Sequence, residues 1–189
     1  MNFIVSDDSP LTAPDRCGFE LPPDYYEEKW YAAYTSANHE KRVTEQLKAR
    51  SVQHFLPLYS SVRRWKDRKV KLELPLFAGY VFVKMALRDR LRVQQIPGVA
   101  NLVSFGGVPA ALSAMEVDAL RTSLSNGLRI EPHPYLVAGR KVRLQSGPLA
   151  GLTGIVVRRK AGARFVISVD LIQRSLAVEL DESDFSAAR

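Results

Sequence analysis

Residues 139–159, GRKVRLQSGPLAGLTGIVVRR, set the tightest limit on what this chain can fold into. Val142, Leu144, Ile155, Val156 and Val157 are strand formers, yet glycines interrupt the run at 147, 151 and 154. Glycine in a strand costs roughly 0.5–1 kcal/mol relative to alanine. It is tolerated where the backbone must turn through positive φ, or where another strand must pass with no Cβ in the way. The spacing therefore predicts a turn at Ser146-Gly147-Pro148, a bend at Gly151 and a bulge or close approach at Gly154. A phosphate-binding loop is excluded, because that motif needs Gly-Lys-Ser/Thr opening a helix, whereas Gly154 opens the strand IVVRR. The other apolar runs nearby, KVRL, RFVISVDLI and SLAVEL, are strand-like too. Residues 137–189 thus read as a small β-barrel, close to the lower size limit for an independent core.

The preceding segment alternates element types. WYAAYTS reads as a buried strand, and ANHEKRVTEQLKARS as a helix with Val43 and Leu47 on one face, capped by Ser36 or Asn38. HFLPLYSSVRRW and LELPLFAGYVFVKMA read as strands, LRVQQIP as a short helix and VANLVSF as another strand. SAMEVDALRTSLSN opens on a Ser113-x-x-Glu116 capping box and continues as a helix. This is an α+β unit over residues 30–126, an antiparallel sheet with flanking helices. Pro132 and Pro134 mark 127–136 as a linker. Residues 1–29 are rich in acids and prolines without apolar periodicity, the composition of a flexible acidic tail.

Charge narrows the function. The first 29 residues carry −5 and the whole chain +7, which leaves +12 on residues 30–189. Arg63, Arg64, Lys66, Arg68, Lys69 and Lys71 are concentrated in one stretch, with Lys41 and Arg42 on the first helix as secondary candidates. Such a concentration points to a polyanionic neighbour, usually nucleic acid. Catalysis has no support. His39-Glu40 begins like a zinc-protease helix but has Val43 where the second histidine belongs. Three histidines and the lone Cys17 assemble no metal set, so no cofactor is expected. No apolar run approaches the ~18 residues of a membrane span, MNFIVSDDSP lacks a basic leader, and one thiol suits a reducing compartment. A monomeric cytoplasmic protein is expected.

GRKVRLQSGPLAGLTGIV closely resembles a KOW motif, found in NusG-type transcription factors and in some ribosomal proteins. That motif alone leaves both open, and a KOW-containing ribosomal or RNA-binding protein is the rival reading. The first unit separates them. WYAAYTSANHEKRVTEQLKAR, FLPLY, PLFAGYVFV, IPGVANLVSFGG and EVDALR match the NusG N-terminal domain in order and spacing. The resemblance implies a bacterial elongation or antitermination factor that binds RNA polymerase. Its apolar depression for the clamp helices falls on Tyr34, Phe77, Ala78, Ile96 and Phe105. Ala78 stands where the family usually has proline, which leaves the shape of the depression open. Gate-loop contact falls on Asp89, Arg90, Leu91 and Arg92, and the basic stretch would face upstream DNA or the non-template strand. The barrel would recruit Rho or a small-subunit ribosomal protein through Leu171, Ile172, Gln173 and Arg174. The wording of this last stretch is similar to specialised paralogues of RfaH or polysaccharide-operon antiterminator type.

Overall fold

The structure, a computed structural model, describes residues 25–65, 68–133, 140–147, 149–159, 162–169, 172, 174–179 and 185–187. The acidic tail read from the sequence lies outside these residues up to position 24. At the centre of the N-terminal unit, β1 (Lys29–Thr35) pairs antiparallel with β5 (Tyr80–Met85) on one side and with β6 (Val99–Leu102) on the other. The short strand β2 (Gln53–Phe55) extends the sheet beyond β5, and β9 (Ala111–Leu112) also pairs with β1.

Side chains alternate across a strand with period two, and β1 and β5 divide their residues accordingly. Trp30, Ala32 and Phe82 enter one apolar cluster, and Tyr31, Ala33, Val81, Val83 and Met85 enter another. Both faces are covered, which explains why WYAAY carries no polar alternation. The second cluster is closed by α1 (Glu40–Ala49) through Val43 and Leu47, and by α2 (Arg90–Gln94) through Val93. The first is closed by α3 (Ala114–Ser125) through Val117 and Leu120.

Local signals went astray at the caps. Neither Ser36 nor Asn38 caps α1; His39 occupies that position and makes no side-chain cap bond. Ser113 does stand at the N-cap of α3, in extended conformation, but its hydroxyl makes no cap bond either. Two apparent strands also divide. Buried Pro57 separates β2 from β3 (Leu58–Trp65), and its carbonyl accepts a bond from the Leu76 N–H (2.8 Å). Residues 76–79 separate β4 (Arg68–Pro75) from β5. Strands β3 and β4 form a two-stranded ribbon of their own. A second, smaller hairpin, β7 (Ser104–Phe105) with β8 (Val108–Pro109), turns at Gly106-Gly107.

The segment read as a linker contributes β10 (Ile130–His133), which pairs with β14 (Arg174–Glu179). Pro132 is accommodated because β10 lies at a sheet edge. The C-terminal region is an antiparallel sheet in the order β10-β14-β13-β12-β11-β15, with β11 at Arg140–Leu144, β12 at Thr153–Arg159, β13 at Gly162–Val169 and β15 at Phe185–Ala187. The glycines explain themselves in part. Gly147 (φ +80) and Gly151 (φ +88) adopt the left-handed conformation in the β11–β12 connection, closed by Gly151 N–H to Leu144 carbonyl (2.8 Å). Gly154 is no bulge: it is buried and pairs in regular register with Val142.

The two units share one apolar cluster. Trp30, Phe77, Phe82, Leu112 and Leu120 belong to the same continuous set as Val142, Leu149, Ile167, Ile172 and Leu176. At its margin, Met115 Sδ comes within 4.0 Å of where a Cβ on Gly151 would sit.

Candidate functional site

The candidate polymerase-facing residues lie around the loop 76–79 and the β7–β8 hairpin. In the loop, the Tyr80 N–H donates to the Phe77 carbonyl (3.1 Å) and Gly79 has φ +84, while Ala78 has no positive φ. A hydrogen-bonded turn with positive φ only at its third residue is type II. The Gly79 carbonyl accepts from the Thr35 N–H (2.8 Å), which fastens the turn to the end of β1. The central N–H of the turn, that of Gly79, donates to Glu40 Oε1 (2.7 Å). Tyr34 leans over this loop, with its Cε2 3.3 Å from the position of a Gly79 Cβ and its ring 5.4 Å from that of Tyr80.

Of the five positions assigned to the apolar depression, three stand outside. Tyr34 is 45% exposed, Ala78 is exposed, and Phe105 is 66% exposed on the β7–β8 hairpin, directly opposite exposed Val108. The other two are interior in this structure. Phe77 is 1% exposed, edge-on to Phe82 with ring centres 5.4 Å apart, because the type II turn directs it into the first cluster. Ile96 is buried among Val43, Leu47 and Val93 and presents no surface. The sequence pattern does not separate inward from outward aromatics, since Phe77 and Phe105 each end an apolar run.

An aromatic row continues behind Phe77. Phe82 stacks with Phe55 at 6.3 Å, and the Arg121 guanidinium lies 5.1 Å from the Phe55 ring centre and 5.2 Å from that of Trp30. Arg121 also approaches Asp118 (3.8 Å). This places the cation of EVDALR beside two aromatic rings while its side chain stays partly exposed.

The four positions assigned to the gate loop start α2. Asp89 pairs with Arg88 (3.5 Å), and Arg92 is engaged structurally: it donates to the Arg50 carbonyl (3.1 Å), while Arg50 donates to the Arg92 carbonyl (2.8 Å). Arg90 and Leu91 are exposed. Arg90 borders a cleft of about 440 Å³ with Tyr25, Lys29, Tyr31, Leu87 and Val108, which the sequence pattern does not reveal.

The basic stretch lies on the β3–β4 ribbon. Directly opposed residues share a face, so one face carries Ser60 with Glu73, Val62 with Lys71, and Arg64 with Lys69. The other carries Tyr59 with Leu74, Ser61 with Leu72, and Arg63 with Val70. Arg63, Arg64, Arg68, Lys69 and Lys71 are exposed; Lys66 lies outside the described residues. Lys41 Nζ donates to the Glu73 carbonyl (2.7 Å) at the base, so this secondary candidate anchors the ribbon to α1.

In the C-terminal sheet, Arg174 is exposed while Ile172 is 4% exposed within the shared cluster; Leu171 and Gln173 lie outside the described residues. As a contact for a further partner, Ile172 is therefore unavailable in this arrangement.

Residues 28–121 match the family described as transcription termination factor nusG. The chain is 32% identical over 183 residues to the transcription termination/antitermination protein NusG of Deinococcus radiodurans, covering 82% of this chain and 96% of that protein. It is 29% identical over 176 residues to the protein of the same name from Escherichia coli K12, covering 85% and 96%. Among solved structures, "Domain interaction in Thermotoga maritima NusG" matches in fold with TM-score 0.52 at 23% identity, covering 86% of this chain and 98% of that one. The relatives are transcription termination/antitermination proteins, and no described helix is long and apolar enough to cross a membrane.

Proposed function

Because the chain belongs to the NusG family of transcription termination and antitermination factors, we propose that it binds RNA polymerase during elongation through the surface formed by Tyr34, Ala78 and Phe105. The observation that carries this reading is the Phe105–Val108 pair, two apolar side chains opposed on one hairpin and both turned to solvent. An exposed aromatic on a short, glycine-turned hairpin contributes nothing to the core and suits an anchor in a helix-binding surface. Arg90 and Leu91 would reach the opposite side of the polymerase cleft. Bridging the two sides favours the closed, elongating state by differential binding. The β3–β4 ribbon would follow DNA, since like charges opposed at Arg64 and Lys69 oppose pairing unless an anion lies beside them. The KOW sheet would recruit Rho or a small-subunit ribosomal protein, with Arg174 as its exposed contact.

Binding to bacterial core RNA polymerase tests the reading, with Phe105→Ala beside the native chain. The native chain should bind, and the variant, still folded, should bind about tenfold or more weakly. Phe77→Ala is a poor probe because it empties a core site. Absence of binding by the native chain would overturn the proposal and bring forward the RNA-binding alternative.

A further inference from the structure

Glu40 is an unusual residue to find inside. It opens α1, is buried, and is 39 residues from its partner Gly79. Helix-dipole chemistry favours an acid in a first turn, but does not require it to be buried or aimed at one backbone N–H. The target is the central amide of the type II turn. In the alternative type I turn the same peptide is flipped and its N–H points the other way. A carboxyl oxygen 2.7 Å from this N–H therefore selects one of two turn conformations. The choice matters at position 78. Alanine leaves φ free where proline would preset it, so the turn gains no stiffness from its own second residue.

We propose that Glu40 is the positioning residue of the polymerase-facing loop, holding the Ala78–Gly79 peptide in the type II orientation so that Ala78 faces outward while Phe77 stays inside. Three observations converge on this role. Gly79 carries the positive φ that the type II turn needs. Its carbonyl, in the Gly79–Tyr80 peptide that a flip leaves in place, is tied to Thr35, so the far side of the turn is fixed and the Glu40 bond is the one a flip would break. Tyr34 rests 3.3 Å from the Gly79 Cβ position, so the turn and the exposed tyrosine move together. The role rests on the polymerase-binding reading above, and what it adds is a residue outside the contact surface that sets its shape.

The test compares polymerase binding by the native chain, Glu40→Ala, Glu40→Gln and the double variant Glu40→Ala/Ala78→Pro, together with exchange of the Gly79 amide proton. Glu40→Ala should weaken binding about tenfold and speed Gly79 exchange, because the amide loses its acceptor. Glu40→Gln keeps an acceptor oxygen and should stay within about threefold of native. Ala78→Pro makes the central pair of the turn Pro-Gly, with glycine at the position where type II alone needs positive φ, and should return the Glu40→Ala variant to within about threefold of native. A merely structural carboxyl would not be replaced by a proline on the far side of the loop. Folded Glu40→Ala that binds like the native chain would overturn the proposal. So would a double variant that regains stability without regaining affinity, or unchanged Gly79 exchange. Failure of the native chain to bind polymerase would instead overturn the polymerase reading, while Gly79 exchange still decides whether Glu40 holds the turn.

Discussion

Gly79 is the residue at which local sterics and long-range packing meet. Its φ of +84 is a conformation that costs an L-residue about 1–2 kcal/mol, and a Cβ there would press on Tyr34 Cε2 at 3.3 Å. Gly79→Ala should therefore lower the unfolding free energy by roughly that amount, read as a lower urea midpoint with the denaturant slope unchanged. An unchanged midpoint would mean that the turn does not hold the left-handed conformation. The two phenylalanines assigned to one surface should part company in the same measurement. Phe77→Ala removes a fully buried ring, typically about 3–5 kcal/mol, whereas Phe105→Ala should stay within about 0.5 kcal/mol. This difference was not legible in the sequence. PLFAG and LVSFGG look alike as strings, and only the covering of Phe77 by its cluster separates them. Glu40 was equally hidden, since it reads as an ordinary acid at a helix start until Gly79 is brought to it.

Among the elements, the β3–β4 ribbon departs furthest from what stability alone would favour. An isolated two-stranded ribbon is marginal in water, and this one sets Arg64 directly against Lys69. Lys69→Glu turns that repulsion into an attraction. It should stabilise the ribbon by about 0.2–1 kcal/mol while weakening binding to DNA and flattening its salt dependence by one to two ions, about 0.9–1.8 in log–log slope. Titrations between about 50 and 200 mM salt measure both affinity and slope. Unchanged affinity and slope would leave the ribbon as a solvated hairpin. The element types here followed from composition: aromatic and β-branched runs became strands, and the apolar pair at 43 and 47 became the buried face of α1. The divisions did not follow. Pro57 and the turn at 76–79 cut two apparent strands into four, because β2 and β5 join the central sheet while β3 and β4 pair only with each other.

Across the whole molecule, one cluster runs from Trp30 to Val178, so the N-terminal unit and the KOW sheet share apolar surface. Shared burial couples their unfolding. Leu176→Ala in β14 opens a cavity in the KOW sheet, typically costing about 2–5 kcal/mol. In a Trp65→Phe background it should lower the transition reported by Trp30 fluorescence by roughly 5 °C or more. A Trp30 transition that stays in place while the KOW sheet melts earlier would show two independently unfolding units. The same sharing buries Ile172 and thereby removes it from the surface at which the family resemblance placed it.

The amino-acid sequence by itself determined the alternation of elements, the KOW turns at Gly147 and Gly151, the basic stretch and the family. Each of these depends on local backbone sterics or on short motifs in fixed order, and both are properties of neighbouring residues. The tertiary structure alone decided that Phe77 is interior while Phe105 is not, that residues 130–133 pair with β14, and that Glu40 meets Gly79. Burial and hydrogen-bond partnership belong to a residue's surroundings, and those are assembled from parts of the chain that lie far apart in sequence.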